Sequence, residues 1–253
     1  MNQTQKTFAK VVGTGRYLPN APIGNAELVA RMAAKGVETS DEWIRERSGI
    51  TQRYWANDDQ PVSVLAEFAA RQALEAAGMG ADELDFIIIG SSTPDMIFPS
   101  AACLLQSKLG AKNAAALDVQ AACTGFVYAL TVANAMIQSG QIKTALVIGA
   151  ETISDILDEQ DRTTAVLFGD GAGAVVLKAS EEPGILACNI HADGDLANIL
   201  YGDARIRGGQ LMGDPRIKMD GQAVFKNAVS FLSEDAQATL DKAGMTVDQL
   251  DWY

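Results

Sequence analysis

Apolar positions along the chain fall into two alternating rhythms. Short continuous runs at Phe8–Gly13, Ala114–Val119, Thr144–Gly149 and Ala174–Ala179 read as buried strands. Asp85-Phe86-Ile87-Ile88-Ile89-Gly90 is the clearest of them, since an unbroken apolar run marks a strand covered on both faces. Between the strands lie helical patterns. Pro61–Ala77 is a long amphipathic helix with Gly78 as its left-handed cap, and Asp41–Arg47 is a short one capped by Ser40. Further helices are predicted around Pro99–Leu109 and from about Cys123 to Ser139, the latter closed by Gly140. Gly13-Thr14-Gly15-Arg16-Tyr17-Leu18-Pro19 reads as a loop. It is no dinucleotide fingerprint, because the third glycine is missing and Pro19 and Pro22 stop a helix from opening there. Phe168-Gly169-Asp170-Gly171-Ala172-Gly173-Ala174 lacks the Lys-Ser/Thr of a Walker loop and leads into a strand. Its glycines are expected to permit a tight turn and close backbone packing. Alternation of this kind predicts an α/β fold with helices on both faces of the sheet.

One stretch occurs twice. Leu74–Phe86 and Leu240–Trp252 share Leu, Ala-Gly-Met, Asp and Leu-Asp at the same spacing. Each copy spells a helix, a glycine cap, an acidic turn and the start of a buried strand. The expectation is a duplicated architecture, with residues 1–180 as a first half carrying the chemistry and 181–253 as the beginning of a second half cut short at Tyr253. Glu181-Glu182-Pro183-Gly184 is the predicted junction.

Composition narrows the class. Of 253 residues, 48% are hydrophobic and 21% charged, as in an ordinary globular chain, and no apolar run approaches the length of a membrane span. Met1–Lys6 has no apolar core of a secretory signal. Three cysteines, Cys103, Cys123 and Cys188, are an odd number, which argues against a disulfide framework and for a cytoplasmic protein with reduced thiols. The net charge of −12 sets the chain against phosphate backbones, so nucleic acid is not an expected partner. Between Arg205 and Lys226, however, Arg205, Arg207, Arg216, Lys218 and Lys226 face only Asp214 and Asp220. This local positive excess fits either a solvated loop or a docking surface for an acidic partner.

Cys123 is the sharpest chemical candidate. It lies between a buried strand and a helix N-terminus, where free backbone N–H groups and the helix dipole favour a thiolate. Ala121, Ala122 and Gly125 leave room for a carbonyl to approach, which suits covalent acyl transfer. A buried structural cysteine is the alternative at this position. Cys103 and Cys188 sit in apolar helix and strand patterns and are expected to pack. The single histidine, His191, falls at the end of a strand and is read as structural. No Cys or His pair has metal-ligand spacing.

Six motifs in order along the whole chain carry a resemblance. They are Gly13–Pro19, Thr39-Ser40-Asp41-Glu42-Trp43-Ile44, Phe98-Pro99-Ser100-Ala101-Ala102-Cys103, Ala121-Ala122-Cys123-Thr124-Gly125-Phe126, Asp161-Arg162 and Phe168–Ala174. With them the chain resembles the β-ketoacyl-[acyl-carrier-protein] synthase III family, the initiating condensing enzymes of bacterial fatty-acid synthesis. The resemblance implies the thiolase fold, two similar βαβαβ halves in an αβαβα layered sandwich, here with the second half incomplete. It makes Cys123 the acyl-accepting nucleophile. Trp43 and Arg162 match residues flanking the adenine of coenzyme A, and Arg47 matches one near its phosphates. An indole and a guanidinium both stack on a base, and arginine suits phosphate; packing of Trp43 and Arg47 as an i,i+4 pair on a short helix is the plainer alternative. Thr39, Met219, Gly221 and Phe225 match the pantetheine tunnel. Phe98 matches a residue that closes the partner subunit's acyl pocket across a dimer interface, and Phe168 is assigned to the acyl pocket.

The expected activity is transfer of an acetyl or other short acyl group from coenzyme A to Cys123, then decarboxylative condensation with malonyl-acyl carrier protein. Coenzyme A enters as part of the substrate and no separate cofactor is expected. Arg216, Lys218 and Lys226 are expected to dock the acidic carrier protein, and the chain is expected to form a homodimer. The family continues past its Leu-Asp-Trp motif with Pro-His-Gln-Ala-Asn and a later Asn; ending at Tyr253, the sequence is expected to lack those two enolate-stabilising side chains. Other readings are a related condensing enzyme, of the hydroxymethylglutaryl-CoA synthase or polyketide-priming type, and a non-catalytic acyl-binding partner.

Overall fold

The computed structural model describes residues 7–252; Met1–Lys6, read above for a signal, and Tyr253 lie outside them. Its strands and helices, in chain order, are β1 (Phe8–Tyr17), β2 (Ile23–Gly24), α1 (Asn25–Ala34), α2 (Asp41–Ser48), β3 (Gln52–Arg53), α3 (Val62–Ala77), β4 (Phe86–Gly90), α4 (Ala101–Leu109), β5 (Ala115–Val119), α5 (Gly125–Gln138), β6 (Thr144–Glu151), β7 (Gly171–Ser180), β8 (Leu200–Arg207), β9 (Gln210–Met219) and α6 (Gly221–Ala243). Five strands form one mixed sheet in the order β1-β7-β6-β4-β5. The neighbours β6, β4 and β5 run parallel, whereas β7 is antiparallel to both β6 and β1.

The apolar run at β4 is buried along its whole length, as the sequence predicts. Alternate side chains serve opposite layers. Ile87 and Ile89 pack with Leu65, Ala66, Ala69 and Ala73 of α3, while Phe86 and Ile88 pack with Ala129, Ala133 and Ile137 of α5. Full burial of each isoleucine contributes about 1.5–3 kcal/mol. The alanines of α3 and α5 let both helices lie close to the sheet. A third core joins Leu28 and Met32 of α1, Ile44 of α2, and Ala165 and Val166, with Trp43 half-buried against it.

Several boundaries move from their sequence positions. Gly13–Tyr17, expected as a loop, belongs to β1. A Cβ on Gly15 would sit 2.1 Å from the Ala69 carbonyl oxygen, so this glycine serves the close approach of strand and helix, not a turn. Gly171–Gly173 likewise lies within β7. The helix expected from Cys123 begins at Gly125, after a single 3-10 turn at Ala122–Thr124. The segment carrying Cys188 and His191 forms no strand, and the β8–β9 hairpin went unanticipated. Cys103 is exposed instead of packed, because α4 buries Ala101, Ala102 and Leu105 on the other side.

The repeated segments adopt one local structure. α3 and α6 end on Gly78 (φ 63°) and Gly244 (φ 68°). The amides of Met79 and Met245 each donate 3.0 Å back to the carbonyls of Leu74 and Leu240. Each then makes a 3-10 turn closed by a side chain at its third position, Glu83 Oε1 accepting from Gly80 N at 2.8 Å and Gln249 Oε1 from Thr246 N at 2.9 Å. After the expected junction, Ile185 N donates to Ala9 O at 2.8 Å, which seats that segment beside β1. α6 has no buried residue, and no helix among the described residues is long and apolar enough to cross a membrane.

Asp85 ties the starts of β4 and β6 together, accepting from Lys143 N at 2.7 Å and Thr144 N at 3.0 Å. Desolvation pushes its carboxyl up, but the Lys143 and Thr144 donors and the Lys143 charge outweigh that and hold it below its ordinary value of 3.8. Its stabilising contribution is therefore present above the unfolded value and lost as pH falls through the lower folded one. Asp85→Asn is expected to cost about 1 kcal/mol at neutral pH, a modest figure because the carboxylate is exposed, and to lower Tm by about 2–4 °C. In thermal melts across pH the gap between wild type and variant should close on acidification below pH 3.8. A gap that widens in acid would contradict this role.

Candidate active site

Cys123 sits where three elements converge. β4 and β6 end side by side, and α5 starts across their C-terminal ends because glycine lets the backbones touch. A Cβ on Gly90 would lie 2.3 Å from the carbonyl carbon of Gly125 and 2.7 Å from the amide nitrogen of Phe126. The Cys123 turn spans the gap between the end of β5 at Val119 and this contact. It is a strained turn: Ala122 has a φ of +44°, a left-handed conformation costing about 1–2 kcal/mol for a residue with a Cβ. Thr124 N and Thr124 Oγ1 both donate to Ala121 O, at 3.1 and 2.9 Å, and close it. No side chain caps the N-terminus of α5, and the 3-10 turn before it takes up the Gly125 N–H, which donates to Ala122 O, beside the exposed Cys123.

A cavity of about 570 Å³ opens at Cys123, within the range of small-molecule sites. Gln120, Ala122 and Phe126 form its wall around the thiol, and Gly90, Ser92, Gly149, Ala150 and Glu151 come from the ends of β4 and β6. Phe168, Gly169, Asp170 and Gly171 lead into β7, and Leu200, Tyr201, Gly202 and Ile217 of the β8–β9 hairpin close the far side. The Asp170 carboxylate holds this wall together, accepting from Ala56 N (2.6 Å), Ser154 N (2.8 Å) and Ser154 Oγ (2.5 Å).

Glu151 and Asp170 are polar wall residues that sequence reasoning missed. The signal for Glu151 was a carboxylate ending an otherwise apolar strand, Thr144–Glu151. Burial pushes its carboxyl above its ordinary value, opposed by donors from Thr93, Ser92 and Ser91.

The remaining expected site residues form separate groups. The guanidinium carbons of Arg47 and Arg162 lie 4.5 and 4.8 Å from the Trp43 ring centroid, and Arg162 Nη1 donates to Glu38 O at 2.8 Å. Thr39 Oγ1, next along the chain, is buried with no hydrogen-bond partner. Met219 and Gly221 meet at the junction of β9 and α6, and Phe225 of α6 is 72% exposed. None of these lines the cavity, although Leu200, opposite Met219 in the hairpin, does. Phe168 joins Cys123 in the cavity, whereas Phe98 is 80% exposed before α4.

Among the basic residues, Arg216 pairs with Asp214 (2.9 Å) and Asp158 (3.0 Å), and Lys218 with Asp214 (3.5 Å). Lys226 makes no ion pair among the described residues. His191 pairs through Nδ1 with Asp235 of α6 at 3.2 Å, and its carbonyl accepts from Tyr128 OH at 2.8 Å. It lies outside the cavity lining, in a structural contact.

Comparison with known proteins places this geometry. The sequence profile of 3-oxoacyl-[acyl-carrier-protein (ACP)] synthase III matches residues 117–194, the stretch from the Cys123 turn to His191 and beyond. The solved structure of 3-oxoacyl-[acyl-carrier-protein] synthase III from Aquifex aeolicus VF5 is 43% identical, with a TM-score of 0.87 over 96% of this chain and 74% of that one. The chain belongs to the 3-oxoacyl-[acyl-carrier-protein] synthase III family. The Pseudomonas aeruginosa PAO1 member is 39% identical over 96% of this chain and 73% of that one, at a TM-score of 0.87. The priming β-ketosynthase of the R1128 polyketide biosynthetic pathway is 33% identical, at a TM-score of 0.88 over 99% of this chain and 74% of that one. The expected thiolase-like α/β architecture therefore holds, and the fold is that of a condensing enzyme.

Proposed function

We propose that the chain takes an acyl group from acetyl-CoA, or another short acyl-CoA, onto Cys123 and condenses it with malonyl-acyl carrier protein. The observation that carries this reading is an exposed thiol on a strained turn, at a helix N-terminus that no side chain caps, in a cavity of about 570 Å³. The Cys123 sulfur attacks the thioester carbonyl, and the oxyanion forms where backbone N–H groups can accept its charge. Coenzyme A leaves as the thiolate, and the acyl group stays on sulfur. Malonyl thioester then loses carbon dioxide, its enolate carbon attacks the acyl carbonyl, and Cys123 is released as 3-oxoacyl product departs. No net electron transfer occurs, so the sequence of steps needs no redox cofactor.

In this reading Trp43, Arg47 and Arg162 hold the coenzyme A nucleotide, with adenine exchanging for a guanidinium over the indole. Thr39, with its unpaired hydroxyl, and Met219, Gly221 and Phe225 guide the pantetheine, and Phe168 borders the acyl group. Residues 1–180 act as the first half and 181–253 belong to the second, a division favoured by the twin caps at Gly78 and Gly244. A second copy completes the acyl pocket. Support comes from β5, which among the described residues pairs only with β4, and from Met96, Ile97 and Phe98, all exposed apolar residues in the loop before α4. The free thiols favour a cytoplasmic setting. Identity of 33% to a priming β-ketosynthase supports one second reading, in which the product starts a polyketide chain.

Native mass spectrometry after incubation with acetyl-CoA is expected to show a dimer carrying one acetyl group per chain. Peptide mapping should place every acetyl on Cys123. Acetylation at Cys103 or Cys188 in a Cys123→Ser variant would overturn the assignment, and an unmodified monomer would overturn the dimer as well.

Carrier docking is tested best at Lys226, because Arg216 and Lys218 already answer Asp214 and Asp158. Lys226→Glu should weaken binding of malonyl-acyl carrier protein by about three- to tenfold at low ionic strength, with the effect fading in salt. KM for acetyl-CoA should stay unchanged. Equal losses for both substrates would refute a partner-specific surface.

A further inference from the structure

Glu151 has no part in the chemistry above, yet this half-buried carboxylate stands beside the seat of the Cys123 turn. It ends β6 and lines the same cavity as Cys123. Every hydrogen bond to its side chain comes from the short segment that follows β4. Ser92 N donates to Oε1 at 2.8 Å, and Thr93 Oγ1 donates to Oε2 at 2.5 Å with Ser91 Oγ more distant at 3.4 Å. Thr93 Oγ1 in turn accepts from Thr152 N at 2.9 Å, so residues 91–93 are stitched to the end of β6 through Glu151 and the residue after it. Charge-assisted bonds of this kind are shorter and stronger than neutral ones.

The stitched segment is also the bed of the nucleophile turn. Ser91 N donates to Val119 O at 3.1 Å, the last residue of β5 before the turn. A Cβ on Gly125, the first residue after the turn, would lie 3.2 Å from Gly90 Cα and 3.6 Å from Ser91 N. Both feet of the Cys123 turn therefore rest on Gly90 and Ser91, and Glu151 anchors the next two residues. We propose that Glu151 is a positioning residue for acyl transfer, holding residues 91–93 so that the Cys123 turn keeps its sulfur aligned with the backbone donors of α5. The proposal rests on the assignment of Cys123 as acyl acceptor. Reaction geometry is demanding at this scale, since displacement of about 1 Å can cost about a hundredfold in rate.

The test compares two reactions of the same sulfur in the purified full chain, followed by mass spectrometry. Acetyl transfer from acetyl-CoA needs the thioester carbonyl held against the donors, whereas alkylation by iodoacetamide needs only access to sulfur. Glu151→Ala should slow acetylation by about tenfold or more while alkylation stays within about twofold of wild type. Glu151→Gln keeps an oxygen for Ser92 N and should recover most of the loss. A merely structural role would slow both reactions together and show no recovery, and that result overturns the proposal, as does acetylation within about twofold of wild type. Should Glu151→Ala lose its near-ultraviolet circular dichroism, Thr93→Val decides in its place. It removes the Oε2 donor and should slow acetylation selectively; equal or unchanged rates in that variant count against the clamp. If wild type acetylates on Cys123 and the variants match it, only the positioning role falls. If wild type does not acetylate on Cys123 at all, the acyl-acceptor reading and this proposal fall together.

Discussion

The contact between Gly90 and Gly125, two backbones with no side chain between them, is the constraint on which the rest of this molecule turns. A parallel α/β sheet collects its ligand chemistry at the C-terminal ends of its strands, where each crossover helix begins. Here the space at that edge is small, and a single methyl group at Gly90 would meet Gly125 at 2.3 Å. With both positions glycine, α5 starts directly over β4 and β6, and the chain leaving β5 must make its turn in the little room left. Ala122 takes a left-handed conformation as a result, and Cys123 is presented outward on that turn. The strain is carried by the neighbours: the alanine faces of α3 and α5, the Asp85 tie between β4 and β6, and the carboxylates of Glu151 and Asp170 that bind the wall segments to one another.

Those carboxylates also divide the labour of the cavity. Asp170 gathers segments from three parts of the chain, near residues 56, 154 and 170, and has no donor from the nucleophile's surroundings. Glu151 receives only from residues 91–93, beneath the turn. The two acids thus tie different segments of the cavity wall, which explains how a cavity lined by so many glycines and alanines can keep a defined form. The Arg47–Trp43–Arg162 stack stands on a different core, one that includes residues of α1 and α2 and residues 165–166.

Much of this was legible in the sequence for physical reasons. The run Phe86–Gly90 could only be a strand buried on both faces, and Ser40, Gly78 and Gly140 marked helix ends through capping chemistry. The repeated Ala-Gly-Met pattern signalled twin caps that the structure reproduces hydrogen bond for hydrogen bond. The position of Cys123 between strand and helix was readable, though the 3-10 turn and the strain at Ala122 depend on tertiary crowding that no local pattern encodes. Gly13 and Gly15 misled for the same reason: the sequence shows missing side chains, and only packing reveals whether a turn or a helix has used the space. Asp170 was hard to read as a site residue because its partners lie sixteen residues or more away, and Glu151 offered only its carboxylate at the end of an apolar strand, its partners lying about sixty residues away.

In the proposed reaction Cys123 meets a thioester carbonyl at the N-terminus of α5, which no side chain caps. A crystal structure of the protein trapped after reaction with acetyl-CoA tests it most directly. The expected result is continuous density from Cys123 Sγ into an acetyl group, its carbonyl oxygen directed at backbone N–H groups beside the start of α5. Coenzyme A bound with an unmodified Cys123, or an acetyl whose oxygen points away from those donors, would contradict it.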